Sequence, residues 1–255
     1  MSKYLILILF ALLAVSGNCK GAEVSSKPNC SNSTKNFYSV EWNGKSDERI
    51  SALEALRDLC AKNGNYILAM TTAYFSNEEW DKAIEFGNSN YGILSKQEKQ
   101  GVLRFIFMSY AYEDNDSGQL FVISQAGNEF PEDNISYLLK GLYNQNLNKW
   151  PEAIMYFEKS NQIGVDFEAF LGLSIGYYNS NKFQESADAY FSACRLNPDT
   201  VSYLTSTLSA SASLYELARY KEAQKALDDH LAVVPASSSD ENVLKIMALL
   251  KTRNL

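Results

Sequence analysis

From Asp47 onward, apolar residues recur at intervals of three and four. Ile50, Leu53, Leu56 and Cys60 share one face, and Asn63-Gly64 follows as a helix stop, so the spacing predicts a helix over 47–62. Beyond Gly64 the sequence becomes self-similar. An aromatic residue followed three positions later by Ala or Ser is the clearest marker: Trp80 with Ala83, Trp150 with Ala153, Phe183 with Ser186, Tyr220 with Ala223. The aromatics lie 70, 33 and 37 residues apart. Similarity at such a period implies stacked units, none of which can cover its own apolar face alone. The 70-residue interval leaves room for one blurred copy, making five units. Past Pro235, Ser239 or Asp240 can start a last helix by accepting from its free amides, with Val243, Leu244, Ile246, Met247 and Leu250 as its apolar stripe.

The copy at 167–198 shows the unit best. Phe170, Leu173, Ser174 and Tyr177 stand on a first helix, Ser186, Tyr190 and Ala193 on a second, and Pro198 at the exit. The copy at 134–165 has Tyr137, Gly141, Ala153, Phe157 and Ser160, with Lys140 and Asn144 at positions otherwise apolar. The copy at 64–95 has Met70, Tyr74 and Ala83, with Gly87 replacing an aromatic. The copy at 204–235 has Leu214, Tyr220, Ala223, Leu227 and Pro235. The blurred copy at 100–131 keeps Leu103, Ile106, Tyr110, Ala126 and Pro131, with bulky Phe107 where a small residue is expected. This pattern resembles the tetratricopeptide repeat, a two-helix unit of about 34 residues. The resemblance covers 64–235. It implies an all-α fold: a right-handed superhelical solenoid of about five helix hairpins, capped by the helix in 46–63 and by a second helix in 236–255.

In that family the first helix of each repeat lines a concave groove that holds a protein or peptide. Carried over residue by residue, the resemblance assigns Leu68, Thr72 and Phe75, then Arg104, Met108 and Tyr112, to the groove. It next assigns Leu138, Leu142 and Gln145, then Leu171, Ile175 and Tyr178, and finally Leu208 and Tyr215. The row is apolar and aromatic, and Arg104 stands almost alone among the cations that clamp a terminal carboxylate in some relatives. An amphipathic or apolar segment is the partner such a row suits. The same side chains pack on one another if the groove is covered from within, by residues 20–45 for example.

The amino terminus changes the picture. Lys3, then an apolar run of 11 residues from Leu5 to Val15, then Ser16 and Gly17, outline an export signal over 1–18, too short to span a bilayer. Two outcomes stay open: cleavage after Ser16 or Gly17, or lipidation of Cys19 as in bacterial lipoproteins. Residues 19–45 are rich in Ser, Asn and Lys without periodicity and read as a flexible tether. The expected setting is a bacterial cell envelope, periplasmic or anchored through Cys19. The expected role is a non-catalytic interaction scaffold, with a structural lipoprotein working through the convex surface as the alternative.

Composition narrows the chemistry. The 23 Lys and Arg against 30 Asp and Glu give a net charge of -7, the wrong sign for nucleic acid. Four cysteines without a close pair and one histidine, His230, exclude zinc ligation, and no cofactor motif occurs. Cys60 and Cys194 read as small buried hydrophobes on apolar helix faces. Glu113, Asp114 and Asp116 read as a solvated turn, lacking the glycine and final glutamate of a calcium loop. No catalytic residues are expected. A Cys194–His230 nucleophilic pair is the one arrangement conceivable, and neither residue has an orienting group.

Overall fold

The computed structural model describes residue 30 and residues 46–253. Among these every regular element is helical. The chain divides into two compact units, one ending at Glu129 and the other beginning at Phe130. In the first, α1 (Ser46–Glu54) and α2 (Arg57–Cys60) precede two hairpins, α3 (Gly64–Ser76) with α4 (Trp80–Asn90) and α5 (Lys96–Tyr112) with α6 (Asp116–Glu129). In the second, α7 (Ile135–Asn146) pairs with α8 (Trp150–Ile163), α9 (Phe167–Asn179) with α10 (Phe183–Leu196), and α11 (Leu204–Glu216) with α12 (Tyr220–Val233). The terminal α13 (Glu241–Lys251) packs on α11 and α12. The five expected hairpins are present, the blurred copy included.

Helix starts follow local chemistry. The Asn63 side chain accepts from the Tyr66 amide at 3.1 Å, and Ser95 with Glu98 forms a capping box. Asp166 accepts from the Glu168 amide at 2.9 Å, and Asp240, rather than Ser239, accepts from Asn242 and Val243 at 2.8 and 3.1 Å. Helix ends inside the hairpins share one device. Two residues before each second helix the backbone turns left-handed, at Glu78, Asp114, Asn148, Asn181 and Ala218, with φ between 53° and 61°. The next amide then donates to the carbonyl five residues back: Glu79 to Tyr74, Asn115 to Tyr110, Lys149 to Asn144, Lys182 to Tyr177 and Arg219 to Leu214, at 2.8–2.9 Å. Those bonds satisfy carbonyls that a helix terminus otherwise leaves open.

Close packing needs small side chains where helices meet. Phe157, fully buried on α8, lies between Gly141 of α7 and Gly172 of α9. A Cβ on Gly141 would meet its ring at 2.5 Å, and one on Gly172 would come closer still. Gly87, which departs from the aromatic usual there, lets α4 approach α5: a Cβ would sit 3.0 Å from both Val102 and Ile106. Lys140 and Asn144 occupy apolar positions without burying a bare polar group. The Lys140 ammonium lies over the Tyr137 ring at 5.1 Å, and the Asn144 amide donates to the Lys140 carbonyl at 2.8 Å.

Two expectations at the amino-terminal cap are corrected. The single helix over 47–62 is two segments, because Leu56 donates to Leu53 in a tighter turn before the ladder resumes with Cys60 bonding to Leu56. Leu53 and Cys60 are buried on either side of this break, while Leu59 is 51% exposed. Cys60 is buried as expected, yet it is not a free thiol. It forms a disulfide with Cys30, with Cα atoms 5.4 Å apart. Among the described residues no helix is long and apolar enough to cross a membrane.

Candidate binding groove

In the carboxy-terminal unit the first helices of the last two hairpins and α13 surround a cavity of about 460 Å³. Its walls are Ile175 and Tyr178 from α9, Leu204, Leu208, Ala212 and Tyr215 from α11, and Ile246 and Leu249 from α13. The space exists because α11 turns its short side chains, Thr205, Ser209 and Ala212, toward it. The Ser209 hydroxyl donates to the Thr205 carbonyl at 2.9 Å, so its polar atom is spent within its own helix. Tyr215 is held from behind. The Arg253 guanidinium lies 5.4 Å over its ring and donates from Nε to its hydroxyl at 3.0 Å, and the Tyr220 ring stands 5.3 Å away. Asn148, Asn179, Glu216, Asp240, Asn242 and Lys245 form a polar rim, on which Lys245 is ion-paired with Glu241 at 2.7 Å. An apolar floor inside a polar rim is suited to large aliphatic or aromatic side chains carried by a polar backbone.

The structure brings four of the sequence-derived groove residues together round this cavity: Ile175, Tyr178, Leu208 and Tyr215. The others lie elsewhere or serve the core. Leu138, Leu142 and Gln145 of α7 are buried, as is Leu171, which packs with Ile175, Ala193 and Tyr203. In the amino-terminal unit, Phe75 and Tyr112 pack on each other at 5.6 Å within a cluster that includes Phe105 and Trp80, the latter stacked on Tyr112 at 5.0 Å. Burial, helped by the neighbouring Glu78 carboxylate, pushes the Tyr112 phenol up to about 12. Met108 is buried, Leu68 lies against Gly101 of α5, Thr72 donates to the Leu68 carbonyl, and Arg104 is half-buried. Cys19 lies outside the described residues.

Sequence reasoning missed Leu204, Thr205, Ser209, Ala212 and Leu249. Leu249 falls outside the α13 stripe, and an apolar residue off the stripe of a cap helix was the available signal. It is 47% exposed and lines the cavity, whereas Val243, Ile246 and Leu250 are buried.

The one nucleophilic pair conceivable from the sequence, Cys194 with His230, is not set up for reaction. His230 is fully buried and its Nδ1 donates to the Val201 carbonyl at 2.6 Å. Burial pushes the Cys194 thiol up, against an opposing hydrogen bond from Tyr190, which is the opposite of an activated nucleophile. Among the described residues no group of three or more His, Cys, Asp or Glu side chains is placed to hold a metal ion. Asp114 sits at the left-handed position of its turn, while burial and the nearby Asp81 raise the Glu113 carboxyl.

No family model and no curated protein matches this sequence. Solved structures do match its fold. The Cut9 and Hcn1 hetero-tetramer of the APC/C gives a TM-score of 0.66 at 17% identity, over 87% of this chain and 42% of that one. Yeast Tom70 gives 0.66 at 12% identity, over 88% of this chain and 47% of that one. YrrB, described as a TPR protein with an unusual peptide-binding site, gives 0.45 at 12% identity over 78% of this chain. The chain thus spans less than half the length of the first two. The first two likenesses show the tetratricopeptide-type helix-hairpin fold, and the fold alone.

Proposed function

We propose that this protein is a non-catalytic interaction scaffold that holds an apolar or amphipathic protein segment in the cavity between α9, α11 and α13. The observation that carries the reading is the coincidence of four groove positions, Ile175, Tyr178, Leu208 and Tyr215, round one open apolar space. A volume of about 460 Å³ accommodates two large side chains, which an amphipathic helix presents three or four residues apart. The setting is the cell envelope. The export-like amino terminus supports this, and so does the Cys30–Cys60 bond, because disulfides persist in oxidising compartments.

The test is selection of peptides from a random displayed library on the intact protein. Enriched peptides should carry two large apolar residues three or four apart. Leu208→Glu and Ala212→Phe, which charge and fill the cavity, should each weaken them at least tenfold while circular dichroism stays unchanged. Absence of enrichment, or peptides indifferent to both substitutions, rejects the groove.

A further inference from the structure

We infer that the Cys30–Cys60 disulfide is a redox-dependent lock on the amino-terminal cap of the repeat stack. The cap is weakly made on its own. Helix α1 has nine residues and α2 four, and isolated helices shorter than about 12–15 residues are marginal in water. Among the contacts that hold them, two reach the body of the first hairpin. Leu53 is buried, and the Tyr74 hydroxyl of α3 donates to Glu54 at 3.0 Å. Arg57 pairs with Glu54 at 2.5 Å and interacts with Tyr66. That ion pair is solvent-exposed on the Arg57 side, and such pairs contribute little.

The covalent bond adds what these contacts lack. It joins positions 30 residues apart and fixes the end of α2 beside Cys30. Closing such a loop removes freedom from the unfolded cap, so the bond favours the docked state. The docked cap engages the hydroxyl of Tyr74, one of the buried side chains that fill the first hairpin. Reduction therefore loosens the end of the stack, and oxidation shuts it.

The chemistry is thiol–disulfide exchange. A disulfide of a protein oxidase or of oxidised glutathione accepts two electrons and, with the two protons lost by the Cys30 and Cys60 thiols, leaves as two thiols while the new S–S bond forms. A dithiol reductant reverses it with the same balance. Cys194 takes no part: it is half-buried on α10, in the other compact unit.

The full-length protein, purified without reductant, provides the test. A non-reducing peptide map should contain the Cys30–Cys60 cross-linked peptide. Adding dithiothreitol should then speed amide hydrogen exchange in 46–76 at least tenfold and leave 204–233 within twofold. Cys30→Ser should reproduce the reduced pattern without reductant, and Cys194→Ser should leave the oxidised pattern intact. Two results overturn the lock: no cross-linked peptide in the oxidised protein, or exchange in 46–76 that is indifferent to both reduction and Cys30→Ser. Because peptide binding by the cavity is read separately, loss of one reading leaves the other standing.

Discussion

Replacing Gly141 with alanine sets two effects against each other. In an open helix the change stabilises by about 1 kcal/mol, since glycine is the poorer helix former. Here the new methyl lands 2.5 Å from the Phe157 ring, and that ring cannot retreat because Gly172 of α9 lies against its other side. Overpacking of a filled core costs about 1–3 kcal/mol. Phe157 is fully buried, and its contact is the body of a ring rather than a flexible chain end, so the cost belongs in the upper part of that range. The expected net effect is destabilisation by about 1–2 kcal/mol. Urea unfolding followed by far-ultraviolet circular dichroism reads it. Phe157→Leu, which shrinks the wedge, should reduce the penalty of Gly141→Ala, giving a coupling of about 1 kcal/mol in a double-mutant cycle. A Gly141→Ala protein as stable as the parent, or strictly additive behaviour in the cycle, would refute the wedge.

Two further predictions concern the turns and the tyrosines. Ala218 adopts φ 57°, where a side chain costs about 1–2 kcal/mol, so Ala218→Gly should stabilise by about 0.5–1 kcal/mol after the greater freedom of unfolded glycine is deducted, measured by urea unfolding. The same change at Asn181 should give less, because asparagine tolerates that conformation. Tyr74 and Tyr112 are pushed up to about 12 from an ordinary value of 10, burial being the main cause in both. A raised value means the folded state holds its proton longer. The stability gained is complete below pH 10 and is lost as pH climbs from about 10 to about 12. Spectrophotometric titration should show these phenols ionising late and together with loss of helix signal. Ionisation of both near pH 10 with helices intact contradicts the assignment.

Much of the fold was legible because its rules are periodic. The aromatic-to-small-residue marker located the second helices of every copy but the blurred one, and Gly141 and Phe157 both fell on positions of the repeat pattern, although their contact did not show. Gly172 did not stand out, because the pattern within one repeat says nothing of what the next repeat lays against its neighbour. The turns were obscured for a different reason: their left-handed positions hold Glu, Asp, Asn, Asn and Ala, so no glycine announces them. The groove was half legible. Spacing put Ile175, Tyr178, Leu208 and Tyr215 on the first helices, but it could not show that the short side chains of α11 open space between them. Nor could it show that Phe75 and Tyr112 turn to each other. The Cys30–Cys60 pairing was hidden because Cys30 lies in a stretch without periodicity, where spacing carries no information about proximity.

The sulfur bridge also changes where a pull is felt. Along the backbone Cys30 precedes α1, yet through the bond it is joined directly to Cys60, the last residue of α2. A load applied at Cys30 therefore has a covalent route to the last turn of α2 that bypasses α1 altogether, and that route exists only while the two sulfurs are bonded.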